Sequence, residues 1–311
     1  MRRIIPPQRL RIHQGAAPSV CALHHGAAGL SLLECDPPAG ATVLTAPKIA
    51  LSVASPYPTH GLSATAGGTM VMSWAPGAIQ SIVLPDLAQA FDRRPPGACD
   101  ARGAARANAA LLRADDGWRG VVLPSMGDRI SDLGPGPVAI SANGLQIAIY
   151  DEGTTYVVAL ADGEPIAEYP GVVEDIAFAS DRLWIAANGA VHPAGDTSAQ
   201  TGSPVIALAG AGAANRVLAR DADGRLTRYG AGEPAESWTP VITDITAISL
   251  SDDGGWATLS GPDAVAVVRA TDGALALYIA GASAIALAFD GRVVIGGEWG
   301  MALIVPFEES V

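Results

Sequence analysis

The sequence predicts an all-β fold, and three observations support this prediction. First, residues 247–280 consist of four short apolar runs separated by the turn sequences DDGG, SGPD and TDG. Second, similar groups of runs recur through the second half of the chain. Third, the 36 glycines and 23 prolines are spread over the whole chain, as expected for many short elements joined by many turns. Together these features indicate repeated small antiparallel sheets.

Each repeat begins with a run of small and β-branched residues that ends at a tight turn. In the second half of the chain these runs are PVAISANG (137–144), VEDIAFASD (173–181), PVIALAGAG (204–212), ITAISLSDDG (245–254) and SAIALAFDG (283–291). A second run follows each of them, and most units continue with a third or fourth. Strands of about five or six residues joined by tight turns form an antiparallel meander, and Asp-Gly and Asn-Gly supply the positive φ of hairpin turns.

A single sheet of this kind cannot bury both of its faces, whereas sheets stacked face to face around an axis can. The sequence therefore predicts one β-propeller domain over residues 1–311, with less regular blades in residues 15–134 and regular ones in residues 135–311. The less regular openings are SVCALHHG (19–26), GLSATAGG (61–68) and NAALLRADDG (108–117). Seven blades are favoured for this length, and eight are the alternative because eight openings can be counted.

Two features of the first half bear on the blade count and on ring closure. Residues 101–114 are rich in Ala and Arg, which are good helix formers, so a helix is an alternative there. The final unit offers three runs, so we expect residues 1–14 to add the outer strand of the last blade. Such pairing of N- and C-terminal strands removes exposed sheet edges. Pro6 and Pro7 lack an N–H donor, which suits an edge strand.

The charge distribution limits the classes of partner. A net charge of −12 disfavours nucleic acid and anionic lipid. Residues 1–134 contain 12 Lys+Arg and 9 Asp+Glu, whereas residues 135–311 contain 7 and 22. The acidic second half either provides a solvated surface or docks a basic partner.

Neither membrane insertion nor a disulfide framework is predicted. The longest apolar stretches are too short to cross a bilayer, and the N-terminus lacks the apolar segment of a signal peptide, so we expect a cytoplasmic protein. Cys21, Cys35 and Cys99 show no metal-binding spacing, and buried thiols are the expectation for them. One Lys against 18 Arg indicates a GC-rich, bacterial codon bias.

The segments RATDGALALYIA (269–280) and VALADGEPIAEYPG (158–171) resemble the third strand, D-G turn and fourth strand of WD40-like and quinoprotein-like bacterial β-propeller repeats. The resemblance covers roughly residues 135–311. The Gly-His and Trp-Asp dipeptides of typical WD40 blades are absent, as is the quinone-stacking tryptophan motif. The resemblance therefore implies a propeller with a tendency towards scaffolding, and it implies no activity and no cofactor.

Few residues are candidates for a functional site. Glu174, Asp175 and Asp244 precede or begin first strands, which line the central channel of a propeller. There they either hold Ca²⁺, as in lactonase-type propellers, or stand as solvated rim charges. Trp238, in AESWTP near a loop, is the best aromatic candidate for a partner anchor.

Two functions follow from these features. The sequence contains no nucleophile elbow, phosphate loop or His-Glu-x-x-His motif. We therefore expect a non-catalytic protein–protein interaction module, or a scaffold subunit of a multi-protein assembly. The alternative is a metal-dependent hydrolase or lactonase with Ca²⁺ held by carboxylates in the central channel.

Overall fold

The computed structural model is a seven-bladed β-propeller. The structure describes residues 19–26, 29–33, 47–54, 57–84, 86–93, 100–114, 117–123, 127–196, 203–287 and 292–305. Within these ranges the chain forms seven small sheets and no α-helix. The predicted all-β fold is confirmed, with seven blades rather than eight.

Three strands precede the first blade: β1 (Ser19–Gly26), β2 (Gly29–Leu33) and β3 (Lys48–Val53). Blade one contains β4 (Gly61–Thr65), β5 (Met70–Ala75), β6 (Ala78–Val83) and β7 (Ala88–Arg93), with one 3₁₀ turn at Ala66–Gly68. Blade two contains β8 (Asp100–Gly103), β9 (Ala109–Ala114), β10 (Gly117–Val122) and β11 (Gly127–Ile130). Blade three contains β12 (Val138–Ile140), β13 (Gln146–Asp151), β14 (Thr154–Ala159) and β15 (Pro165–Pro170).

The remaining blades follow the same antiparallel order. Blade four has three strands among the described residues: β16 (Asp175–Ala179), β17 (Arg182–Ala187) and β18 (Ala190–Pro193). Blade five contains β19 (Val205–Gly210), β20 (Arg216–Asp221), β21 (Leu226–Gly230) and β22 (Glu236–Trp238). Blade six contains β23 (Ala247–Leu250), β24 (Trp256–Ser260), β25 (Ala264–Arg269) and β26 (Leu275–Ala280). Blade seven contains β27 (Ala284–Leu287), β28 (Val293–Gly297) and β29 (Gly300–Val305).

The first strands of neighbouring blades contact one another around the ring axis. We call the face on which the first strands begin the upper face, and the face on which they end the lower face. The upper face therefore carries the segments that lead into each blade and the turns between second and third strands. The lower face carries the turns between first and second strands.

The N-terminal hairpin corrects the prediction that residues 19–26 open a blade of their own. Residues of β1 pair with β26 in parallel and with β2 in antiparallel, so the hairpin extends the sheet of blade six to six strands. Two strands cannot form a blade, and the hairpin instead buries Cys21 and packs Leu23 against the cluster between blades six and seven. This difference accounts for the eighth opening in the sequence.

Blade two also differs from its prediction. The run at residues 108–117 was expected as a first strand, but Asp100–Gly103 occupies that position and Ala109–Ala114 is the second strand. The alternative of a helix at residues 101–114 is wrong as well. Pairing of β9 with strands on both sides satisfies its backbone and overrides the helical propensity of Ala and Arg.

The ring is closed by pairing of an N-terminal strand with the C-terminal strand β29, as predicted. The strand in this position is β3, which pairs antiparallel with β29 from Lys48–Val305 to Val53–Met301. Residues 1–14, from which we expected this strand, lie outside the described residues. Closure covers the edge of β29.

Small and β-branched side chains fill the spaces between blades. Between blades six and seven, Val265, Val267, Ile285 and Ile295 lie in one cluster and are at most 3% exposed. Burial of each such side chain contributes about 1.5–3 kcal/mol. Similar clusters lie between the other neighbouring blades, so a core with few aromatic residues is sufficient for this fold.

Turns on the lower face are hydrogen-bonded from blade to blade. The bonds from blade one to blade six are Gly67 N–H to Ala105 O (2.6 Å), Arg106 N–H to Ala142 O (2.8 Å), Ala142 N–H to Ser180 O (3.0 Å), Ser180 N–H to Ala211 O (2.7 Å) and Ala213 N–H to Asp252 O (2.8 Å). These bonds satisfy backbone groups that would otherwise be buried without partners.

The same turns meet at the axis. Blades two and five lie on opposite sides of the ring, yet a Cβ on Gly212 would lie 2.7 Å from Ala105 Cβ. The same Cβ would lie 2.0 Å from Oδ1 of the buried Asp252. Only glycine permits this approach of the turn of blade five to the turns of blades two and six.

The expectation of free buried thiols is wrong for one cysteine. Cys21 on β1 is 2% exposed and disulfide-bonded. Cys21 therefore contributes a buried disulfide sulfur rather than a free thiol.

Candidate functional site

A β-bulge lies at the upper end of the channel, on the first strand of blade five. In the pairing of β19 with β20, Val205 lies opposite Asp221 and Ala207 opposite Arg220, which leaves Ile206 as the extra residue. Bulges redirect side chains and are common next to functional sites. Here the Ile206 side chain is 50% exposed although it belongs to an innermost strand.

Two carboxylates of blade four hold the bulged strand on either side of Ile206. Glu174 Oε2 accepts a hydrogen bond from the Val205 N–H (2.9 Å), and Asp175 Oδ2 accepts one from the Leu208 N–H (2.7 Å). Glu174 also accepts from the Gly189 N–H at 3.2 Å. Hydrogen bonds to charged acceptors are stronger than those between neutral groups, so the bulge has a fixed position.

Asp175 also faces an arginine that reaches across blade three. Arg102 Nη1, on β8 of blade two, lies 3.9 Å from Asp175 Oδ1 and donates a 2.6 Å hydrogen bond to the Val138 carbonyl. Its guanidinium carbon lies 5.4 Å from the centre of the Trp118 ring, within the range of a cation–π contact. Arg102 thus connects the first strands of blades two, three and four.

Burial changes the titration of the carboxylates around Arg102. Burial raises the pKa of Asp175 above its ordinary value of 3.8, the Arg102 guanidinium acts in the opposite direction, and the nearby Asp100 carboxylate adds to the rise. Burial likewise raises the pKa of Asp100, again opposed by Arg102. Two acids and one guanidinium therefore share a water-poor region, where the charged form of a carboxyl group is disfavoured.

The three carboxylates predicted as a metal site are placed differently from one another. Glu174 and Asp175 lie side by side at the start of β16, and each is directed at backbone amides of blade five. Asp244 is exposed in the segment before β23, two blades further on, and accepts a long hydrogen bond from the Thr243 hydroxyl (3.5 Å). In the part of the chain that the structure describes, no group of three or more His, Cys, Asp or Glu is arranged to hold a metal ion.

Trp238 lies in the core between blades five and six. Its side chain is 8% exposed, and its indole N–H donates a 3.1 Å hydrogen bond to the Ala270 carbonyl. The ring also packs against Gly273, where a Cβ would lie 2.4 Å from the indole. The side chain that we expected at a loop surface is therefore used in packing two blades together, because the turn of blade six covers it.

Two more apolar side chains are exposed in the segments that lead into blades four and six. Val172 is 72% exposed and Val241 is 47% exposed. Both segments lie on the upper face and lead into the blades on either side of blade five, to which Ile206 belongs. We call Val172, Ile206 and Val241 together the upper patch.

Sequence reasoning did not identify Arg102 or Ile206. Arg102 occurs in a stretch that allowed a helix, and the residues that it joins in other blades, Val138 and Asp175, lie 36 or more positions away along the chain. Ile206 belongs to the run PVIALAG, in which nothing marks one isoleucine as bulged. A bulge depends on the register with the next strand, and a single sequence carries no signal for it.

Comparison with protein-family models gives no match, and a search of the curated proteins finds no similar sequence. The geometry of the propeller is therefore the basis for the functional conclusion. No helix among the described residues is both long enough and apolar enough to cross a membrane.

Proposed function

We propose that this protein is a non-catalytic interaction module, a scaffold subunit that binds a protein partner through the upper face of its propeller. The observation that carries the proposal is the exposure of Val172, Ile206 and Val241 on the same face of three consecutive blades. Grouped exposed apolar side chains mark interaction surfaces. The acidic second half of the chain favours a basic partner over nucleic acid.

The contacts that hold the strands beneath this face in place support the proposal. Glu174 and Asp175 fix the strand that bears Ile206, and Arg102 connects three first strands. A surface that is already ordered loses less conformational freedom on binding. The sequential antiparallel strands of each blade also fit the WD40-like or quinoprotein-like repeats to which the sequence was compared, and this repeat type is part of the proposal.

The contacts of the carboxylates favour this module over the calcium-dependent hydrolase. Glu174 and Asp175 already act as acceptors for backbone amides, and Asp244 projects from a different blade. These roles account for Glu174 and Asp175 without a cation. Calcium sites use six to eight oxygen ligands converging on one point.

The disulfide is relevant to the cellular compartment in which the protein acts. Disulfides persist in oxidising compartments and are rare in the cytosol. The bond at Cys21 therefore supports an oxidising compartment over the cytoplasmic location expected from the sequence.

The proposal is tested by isolating the tagged protein from its native cells after mild crosslinking, followed by mass spectrometry and elemental analysis. We expect a protein partner in a fixed ratio to the propeller. Stoichiometric Ca²⁺ that is lost from Glu174→Gln, Asp175→Asn and Asp244→Asn variants, with no protein partner, would overturn it.

A further inference from the structure

We infer that the upper patch docks a cationic segment of the partner that also carries large apolar side chains. This inference rests on the proposed function and specifies both the surface and the chemistry of what it binds. Val172, Ile206 and Val241 belong to three consecutive blades, lie on the upper face and are each at least 47% exposed.

A short chain of contacts connects Val172 to Ile206. Val172 lies two residues before Glu174, and the Glu174 carboxylate accepts the N–H of Val205, the neighbour of Ile206. On the other side, the Gly171 N–H donates to the Gly153 carbonyl in a turn of blade three (2.8 Å). Val172 is thus held between two anchored residues, and its 72% exposure is a property of an ordered segment.

Val241 is connected to the bulged strand through Arg220. Arg220 lies opposite Ala207 in the pairing of β19 with β20 and donates a hydrogen bond to the carbonyl of Ile245. The same segment buries Ile242, whose Cγ2 atom would lie 2.7 Å from a Cβ on Gly261. The segment that exposes Val241 is therefore held in place by the hydrogen bond from Arg220 and by the buried side chain of Ile242.

The charge around the patch selects a cationic partner. The upper turns and segments of blades three to six carry eight carboxylates and two guanidinium groups. The carboxylates belong to Asp132, Asp151, Glu152, Glu174, Asp221, Asp223, Asp244 and Asp263, and the guanidinium groups to Arg220 and Arg225. A face with this balance attracts Lys and Arg and repels phosphate backbones.

Charge and apolar surface have separate roles in this arrangement. Apolar contact at the centre of an interface supplies most of the binding energy, and a charged surround contributes selectivity and the rate of association. A partner with charge alone would gain little from Ile206, and an apolar partner without charge would gain nothing from the carboxylates. The two features together therefore specify a segment that is both basic and apolar.

The experiment uses fluorescence anisotropy with the full chain and three labelled short peptides. In the first, Arg and Leu alternate; in the second, Ser replaces Leu; in the third, Glu replaces Arg. We expect the Arg–Leu peptide to bind at least about tenfold more tightly than either of the others, because loss of one good anchor costs more than about 1 kcal/mol.

Matched variants locate the binding surface. The triple upper-patch variant should bind the Arg–Leu peptide at least about tenfold more weakly than the unaltered chain. It combines Val172→Ser, Ile206→Ser and Val241→Ser. The control combines Leu145→Ser and Ile166→Ser, two side chains that are each 51% exposed and lie away from the upper face. The control should bind within about twofold of the unaltered chain. Thermal unfolding of all three proteins should coincide, because every altered side chain is exposed.

Three results would overturn the inference: no binding of the Arg–Leu peptide, equal binding of the Arg–Leu and Arg–Ser peptides, or equal loss in the two variants. The crosslinking experiment separates this failure from that of the proposed function. If the triple upper-patch variant still captures the native partner, the partner does not bind the upper patch. The proposal that the protein is an interaction module would nevertheless stand.

Discussion

At the scale of single residues, Asp175 combines three roles that its sequence context does not reveal. Its carboxylate accepts the Leu208 N–H and faces Arg102 at 3.9 Å, and the residue as a whole is 7% exposed. The acid is held in place by one strong hydrogen bond while its charged form is disfavoured by burial. Such a group makes stability depend on pH.

The first prediction concerns this pH dependence. Because the pKa of Asp175 is raised in the folded state, the folded protein binds this proton more tightly than the unfolded chain does. The contribution of Asp175 to stability is therefore full below its ordinary pKa of 3.8 and is lost as pH rises through the raised value. Asp175→Asn should flatten this part of the profile, measured as urea midpoints over a pH series.

Asp272 provides a control of opposite sign. The hydrogen bond from Arg269 lowers the pKa of Asp272, so its contribution is present above the ordinary pKa and is lost as pH falls. Asp272→Asn should therefore reduce stability at neutral pH relative to acid. The effects of Asp175→Asn and Asp272→Asn on the free energy of unfolding should change in opposite directions as pH rises. Effects that change in the same direction would contradict the assigned pKa shifts of both residues.

The second prediction tests the contact at the axis. A Cβ at position 212 meets Asp252 and Ala105, so Gly212→Ala should lower the free energy of unfolding by about 1–3 kcal/mol. Gly255→Ala is the control, since its nearest neighbour is a side-chain oxygen of Asp253 at 3.3 Å. The free energy of unfolding of the control should lie within about 0.5 kcal/mol of that of the unaltered chain in the same urea titration. Equal effects would show that the lower turns do not meet.

At the scale of elements, blades are joined by indole groups as well as by apolar packing. Trp184 donates to Asn215 Oδ1 (2.8 Å) between blades four and five, and Trp299 donates to the Gly281 carbonyl (3.0 Å) between blades seven and six. With Trp238, three of the six tryptophans connect neighbouring sheets in this way. Sheets that share such bonds are expected to unfold together.

The third prediction concerns the N-terminal hairpin. The disulfide of Cys21 consumes two of the three cysteines, so the denatured, unreduced protein should titrate one thiol and the reduced protein three. Cys21→Ser should titrate two thiols without reductant, because its former partner is released. Three thiols in the unreduced protein would contradict the disulfide.

At the scale of the whole molecule, the ring depends on a strand that is distant in sequence from the strand it pairs with. β3 comes from the N-terminal part of the chain, and β29 lies near the C-terminus. Without β3 the edge of β29 is exposed, and exposed edges pair with other chains. Closure therefore protects against aggregation as well as joining the two ends.

The fourth prediction compares two truncated chains. A chain without residues 1–46 keeps β3, whereas a chain without residues 1–54 loses it. The longer deletion should unfold broadly and at lower temperature and should scatter light on heating, as measured by calorimetry and light scattering. Identical unfolding of the two chains would mean that β3 does not close the ring.

The sequence predicted the fold better than the site. Residues 137–144 and 245–254 gave strands at the expected places, because an Asn-Gly or Asp-Gly turn and its two flanking runs form a local hairpin. Glu174 and Asp175 were singled out from the sequence as candidate channel carboxylates, but their hydrogen bonds to blade five were not foreseen. Those bonds join residues 31 and 33 positions apart, across a register that only the assembled ring defines.

The amino-acid sequence by itself determined the strands, their turns and the all-β class, since these depend on neighbours within a few residues. The tertiary structure decided which strand closes the ring, where residues 19–26 pair and which isoleucine bulges towards solvent. It also placed Arg102 beside Asp175 and buried Trp238. Each of these outcomes depends on contacts between residues far apart in the chain, and their energies exist only once the blades are packed.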